Sequence, residues 1–100
     1  MKKVKITVMK KVSHDDLISH YENRISDACN MELGASFISE NCLIPEGFCE
    51  SAWQNLYPYV MTLSCGGEDI HNGWMKDKNT AMISCNDGFR PVSFYLEAID

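Results

Sequence analysis

The residues richest in reactive groups lie near the end of the chain, in the segment 84–94. Within it, Cys85, Asp87 and Arg90 bring a thiol, a carboxylate and a guanidinium onto one short turn. The run Asn86-Asp87-Gly88 is typical of a hairpin turn, because Gly88 is free to adopt a positive φ. The segment therefore predicts a polar site at a turn between two strands.

Two interpretations of this turn remain open from its residues alone. In the first, the Arg90 guanidinium binds an anionic ligand through bidentate hydrogen bonds, beside the Cys85 thiol and the Asp87 carboxylate. In the second, Asp87 caps its own turn while Arg90 pairs with it or with Glu97. Pro91 favours extended backbone at Arg90 in either case.

The thiols allow a further kind of chemistry. The chain has five cysteines, an odd number, and no Cys-x-x-Cys pair, so we expect reduced thiols rather than a disulfide framework. Cys49 lies where a helix is predicted to begin and Cys85 lies near an arginine, which are settings of reactive thiols. A zinc or iron site would use Cys29, Cys49 and Cys85 as soft ligands, although their wide spacing does not favour it.

The histidines show no arrangement of catalytic or metal-binding type. His14, His20 and His71 lack ligand spacing to one another, and we expect them at the surface. The sequence also contains no nucleophile elbow, phosphate-binding loop or His-Glu-x-x-His helix. The commonest recognisable enzyme classes are therefore not indicated.

Composition limits the partners. The 100 residues suffice for a single domain, 1–100, and 45% of them are hydrophobic, as in an ordinary globular chain. The net charge of −5 does not fit nucleic-acid binding, which needs a basic surface. No apolar run is long enough to span a bilayer, and no signal-peptide pattern opens the sequence, so we expect a cytoplasmic location and no membrane partner.

The first half of the chain predicts a strand and a short helix. Residues 2–12 alternate between β-branched and polar side chains, the pattern of a half-buried strand. Ser13 and Asp16 resemble a capping box, and apolar residues follow at helical spacing: Leu17, Ile18, Tyr21 and Ile25. Residues 35–38 are consistent with a brief strand.

The second half predicts a long helix and then strands. An apolar stripe begins at Cys49 and continues through Trp53, Leu56, Val60 and Leu63, interrupted by Pro58, which we expect to bend or divide the helix. Strands are predicted at 74–76, 80–84 and 92–97. The fold class is therefore α+β: a small antiparallel sheet of four to five strands with one short and one long helix packed on one face.

Three blocks of sequence resemble a family of small uncharacterised bacterial and archaeal proteins. They are residues 2–8, residues 45–53 with Pro-Glu-Gly-Phe-Cys-Glu-Ser-Ala-Trp, and residues 85–94 with Cys-Asn-Asp-Gly-Phe-Arg-Pro-Val-Ser-Phe. That family usually has proline after its first and last cysteine, where this chain has Asn30 and Asn86. The resemblance implies that the functional thiols are Cys29, Cys49 and Cys85, together with Asp87 and Arg90, and that Cys42 and Cys65 are particular to this sequence.

Three functions follow from these patterns. The first is a binding module that holds a small anionic ligand, a metal-containing ligand or a protein partner at Cys85, Asp87 and Arg90. The second is a thiol-dependent enzyme or redox protein that uses Cys49 or Cys85. The third is a metal-binding protein with Cys29, Cys49 and Cys85 as ligands. Because a second copy of the chain could cover the edges of such a sheet, a homo-oligomer is an open alternative.

Overall fold

The computed structural model describes residues 1–23 and 29–100. Within this part, four strands form one sheet and two helices accompany it, so the predicted α+β class is confirmed. Ile25, which the sequence assigned to the first helix, lies outside the described residues. The elements are, in chain order, β1 Lys3–Lys11, α1 Asp15–Tyr21, β2 Ser36–Ser39, α2 Glu50–Ser64, β3 Thr80–Ser84 and β4 Val92–Ile99.

The sheet places the first and last strands of the chain side by side at its centre. Its order is β2-β1-β4-β3, and every neighbouring pair is antiparallel. The alternation that predicted β1 is visible as burial, since Val4, Ile6 and Val8 have 1% exposure or less. A bulge at Met9 shifts the register, because Val8 is opposite Phe94 whereas Lys10 is opposite Ser93.

The long helix α2 covers one face of this sheet. Leu56, Val60 and Leu63 are fully buried and belong to the same core as the inward side chains of β1, β3 and β4. Pro58 lies inside α2 without dividing it, and the helix continues to Ser64. Pro58 and Gln54 are both exposed, so the carbonyl group that loses its intrahelical partner lies at the solvent side.

Two local predictions are wrong. The N-terminus of α1 is not a capping box, because His14 is the N-cap residue and the Ser13 hydroxyl donates instead to the Asp15 carboxylate at 2.8 Å. Residues 74–76 do not form a strand. They follow a chain of turns in which Asp69, His71 and Asn72 adopt positive φ, and Trp74 is 60% exposed.

Neither helix has the length and apolar character that crossing a bilayer requires, as far as the described residues extend.

The core makes a direct prediction for stability. Leu56→Ala should lower the free energy of unfolding by about 2–5 kcal/mol, because the fully buried side chain leaves a cavity between α2 and the sheet. Urea denaturation followed by circular dichroism measures the change. The matched control is Leu33→Ala, at a position 67% exposed, where we expect a change within about 0.5 kcal/mol. Equal losses in the two variants would contradict this assignment of the core.

Candidate functional site

The terminal turn is organised by a carboxylate rather than by a glycine. Oδ1 of Asp87 accepts hydrogen bonds from the backbone N–H of Phe89 at 2.8 Å and of Arg90 at 3.1 Å. Gly88 does not adopt a positive φ, so the freedom expected of it is not used. The prediction that Asp87 caps its own turn is confirmed.

Cys85 extends the pairing of β3 and β4 by one residue. Its backbone N–H donates to the carbonyl of Val92 at 2.9 Å, and its sulfur accepts the N–H of Val92 at 3.3 Å. Because side chains alternate along a strand, Cys85 shares the inward face of Ala81 and Ile83. The thiol is therefore directed toward the layer occupied by α2 and is partly buried.

Cys49 begins α2 as its N-cap residue, as the sequence predicted. Its extended backbone and its side chain act together there, since the sulfur accepts the N–H of Ala52 at 3.5 Å. An N-cap side chain normally supplies an oxygen for one of the unpaired amides of the first turn. Here a sulfur takes that position, and the thiol remains partly exposed.

Cys29 is held at the end of β1 by its neighbour Met31. The sulfur of Cys29 accepts the N–H of Met31 at 3.4 Å, and the carbonyl of Met31 accepts a hydrogen bond from Nζ of Lys11 at 2.8 Å. Met31 itself is only 3% exposed, which anchors the segment in the core. The thiol of Cys29 is thereby fixed close to the start of β4.

Cys29, Cys49 and Cys85 all line one cavity of about 240 Å³. Apolar side chains form part of its wall, and polar groups complete it. The lining residues are Cys29, Met31, Cys49, Ser51, Ala52, Cys85, Asn86, Asp87, Arg90, Val92 and Phe94. All five positions singled out in the sequence are thus on one cavity. The other two cysteines are elsewhere: Cys42 is buried, and Cys65 is exposed at the end of α2.

A reciprocal pair of hydrogen bonds that the sequence did not indicate joins two sides of the cavity. The Ser51 hydroxyl donates to Oδ1 of Asn86 at 2.9 Å, and Nδ2 of Asn86 donates to the carbonyl of Ser51 at 3.2 Å. One turn later, Nδ2 of Asn55 donates to the carbonyl of Ser84 at 2.9 Å. The first turns of α2, which carry Cys49, are therefore fixed against the loop that carries Cys85.

Arg90 forms an ion pair with Glu22, which is neither of the partners considered from the sequence. Nη1 of Arg90 lies 2.8 Å from Oε1 of Glu22, and the two side chains are 28% and 13% exposed. Backbone contacts explain the meeting, since the N–H of Val12 donates to Pro91 and that of His14 to Phe89. These bonds lay the start of α1 along the terminal loop, so Glu22 at its end reaches Arg90.

Arg90 and Cys29 also border a second cavity of about 270 Å³, next to Lys11 and Ser13. A more open groove of about 400 Å³ lies along the other side of α2, against Trp74 and His71, and includes none of the predicted site residues. No three histidine, cysteine, aspartate or glutamate side chains in residues 1–23 and 29–100 form a group that could hold a metal ion as they stand. The metal site at Cys29, Cys49 and Cys85 therefore stays a prediction.

Searches of protein-family models, of curated proteins and of solved structures found no match to this chain. The chemistry of the cavity itself is therefore the basis for a proposed function.

The ion pair predicts a measurable coupling between two residues far apart in sequence. A double-mutant cycle with Arg90→Ala and Glu22→Ala should give a coupling free energy of about 1–2 kcal/mol in urea unfolding, because both charges are largely shielded from solvent. The control cycle is Lys3→Ala with Glu40→Ala, a pair whose side chains are 49% and 64% exposed. There we expect less than about 0.5 kcal/mol. A coupling for Arg90 and Glu22 as small as that of the control would contradict a structural role for the pair.

Proposed function

We propose that this protein is a small binding module and that its ligand occupies the cavity lined by Cys29, Cys49 and Cys85. One observation supports this above the others: three thiols from three separate segments line the same cavity, and each sulfur accepts one backbone N–H. Buried thiols that serve only as small apolar side chains need neither a shared cavity nor aligned amides.

The charges around the cavity favour a cation or a metal-containing ligand over a simple anion. Anion binding at this turn would require the positive charge of the Arg90 guanidinium. Glu22 already neutralises that charge. Asp87 adds a carboxylate to the lining, and thiols that lose their protons add further negative charge. Thiolate sulfur is the ligand type that selects zinc, copper(I) and iron–sulfur centres.

The amides directed at the sulfurs fit this role. A metal-bound thiolate keeps negative charge on sulfur, and hydrogen bonds from outer groups stabilise that charge and orient the ligand. Ala52, Met31 and Val92 supply such donors from the backbone. Because these donors are backbone N–H groups, they do not depend on the side chains at the three positions.

A second candidate is thiol-dependent chemistry at Cys49. It is supported by the position of the thiol at the N-terminus of α2, a helix of 15 residues, where the helix dipole favours negative charge. In that case Cys49 alone should react rapidly with an alkylating agent, and Cys29 and Cys85 should not be needed. The proposed ligand of the cavity requires all three thiols, which separates the two candidates.

Cadmium serves as a probe for the proposed site, because its bonds to thiolates absorb in the near ultraviolet. Anaerobic titration of the reduced protein should show saturable binding, and Cys49→Ser should weaken it at least about tenfold, the loss typical even for outer-shell changes. Cys65→Ser is the matched control, since that cysteine lies outside the cavity. It should leave the affinity unchanged. If the two variants bind cadmium equally well, the cavity is not the binding site.

A further inference from the structure

Cys29, Cys49 and Cys85 line one cavity, yet no three histidine, cysteine, aspartate or glutamate side chains of the described residues form a group that could hold a single metal ion. A tetrahedral ion with metal–sulfur bonds of about 2.3 Å holds its sulfurs about 3.8 Å apart, close to contact with one another. The thiols of Cys29, Cys49 and Cys85 instead line a cavity of about 240 Å³. A ligand with several metal atoms fits thiols arranged around such a space, because it does not require them to converge on one centre.

The surroundings of the thiols match what such a ligand needs. Phe94, Val92 and Ala52 line the cavity and are at most 1% exposed, so part of its wall is packed apolar core. Each sulfur receives one amide N–H, at distances between 3.3 and 3.5 Å. Shielding from solvent and hydrogen bonds to sulfur are among the features by which proteins tune iron–sulfur clusters.

We propose, on the basis of the proposed binding function, that the ligand is a [4Fe–4S] cluster held by the thiolates of Cys29, Cys49 and Cys85. Three cysteines supply three of the four iron atoms with a protein ligand. The fourth iron is left for a ligand that these thiols do not provide. The thiols come from the segment before β2, from the start of α2 and from the end of β3, so the cluster joins all three.

The binding step is an exchange of thiolates with no change in oxidation state. A synthetic [4Fe–4S] cluster that carries four small thiolate ligands is the source. Three iron–sulfur bonds to the small thiolates break, and three bonds to cysteine sulfur form. The proton of each cysteine thiol passes to a departing thiolate, which leaves as a free thiol. The fourth small thiolate stays on the remaining iron.

Cluster transfer to the reduced 100-residue chain under anaerobic conditions tests the proposal. After desalting, we expect about four iron and four sulfide per chain, with the broad visible absorption of such clusters. Cys29→Ser, Cys49→Ser and Cys85→Ser should each lose the bound iron, whereas Cys65→Ser should retain it. Circular dichroism of each variant shows whether the fold is intact.

A second measurement uses the chain without substitutions, so that a folding defect in a variant cannot affect the result. In cluster-loaded protein, iodoacetamide should alkylate Cys65 but not Cys29, Cys49 or Cys85, and mass spectrometry identifies the modified residues. In cluster-free protein, all four should react. Alkylation of the three cavity thiols at the same rate with and without cluster would overturn the proposal.

The outcomes separate this inference from the proposed function. If cadmium binds through the cavity thiols but the desalted protein keeps no iron and sulfide, the cluster inference fails and the binding function stands. If cluster uptake occurs but is unchanged in Cys49→Ser, both assignments to the cavity fail. Iron retained without sulfide would identify a single-ion site and would overturn the cluster.

Discussion

The antiparallel pairing of β1 with β4 is the interaction on which the rest of the structure depends. It joins the two ends of the chain in the middle of the sheet; β2 pairs with β1, β3 pairs with β4, and α2 packs on the sheet that they form. Val4, Ile6 and Val8 meet Phe94 and Leu96 in a core with no more than 1% exposure at any of the five. Because the paired residues are almost a chain length apart, little of this structure can form locally before the pairing is made.

The cavity inherits this dependence. Its three thiols belong to three segments that are far apart in sequence. These segments come together only when β4 lies beside β1 and α2 packs on both strands. The Ser51–Asn86 hydrogen bonds then fix the position of α2 relative to the terminal loop, and the Lys11–Met31 bond fixes the segment that carries Cys29. A ligand held by all three thiols would therefore stabilise the folded state as a whole, since the unfolded chain cannot present them together.

The elements that the sequence predicted correctly are those with a periodic pattern of apolar residues. Alternation identified β1 and β4, and the apolar stripe identified α2, because burial on one face of a regular element imposes a repeat. The predicted strand at 74–76 was wrong because four of the residues 69–73 have positive φ, and only Gly73 among them is a residue that marks such a conformation; Asp69, His71 and Asn72 do not. The capping box failed because His14, and not Ser13, is the N-cap residue of α1, and no side chain caps that end of the helix.

The site was predictable to a different degree. The identity of its thiols followed from the resemblance and from the helix start at Cys49, which are local features. The partner of Arg90 did not, because Glu22 lies 68 residues away and reaches it through a fold in which residues 12–14 bond to residues 89–91. Ser51, Asn86 and Met31 likewise carry no local mark of their role. Contacts across such distances in sequence depend on topology rather than on residue type.

The net charge at the cavity wall depends on whether helix α1 is folded. None of its residues is buried by the rest of the described chain, so its opening requires far less free energy than global unfolding. Glu22 lies directly after this helix and is bound to Arg90. When α1 unfolds locally, the Glu22 carboxylate separates from Arg90. The positive charge of Arg90 at the cavity wall is then no longer neutralised. For the binding function proposed above, the ion pair with Glu22 therefore favours a cation at the cavity, and its loss favours an anion there.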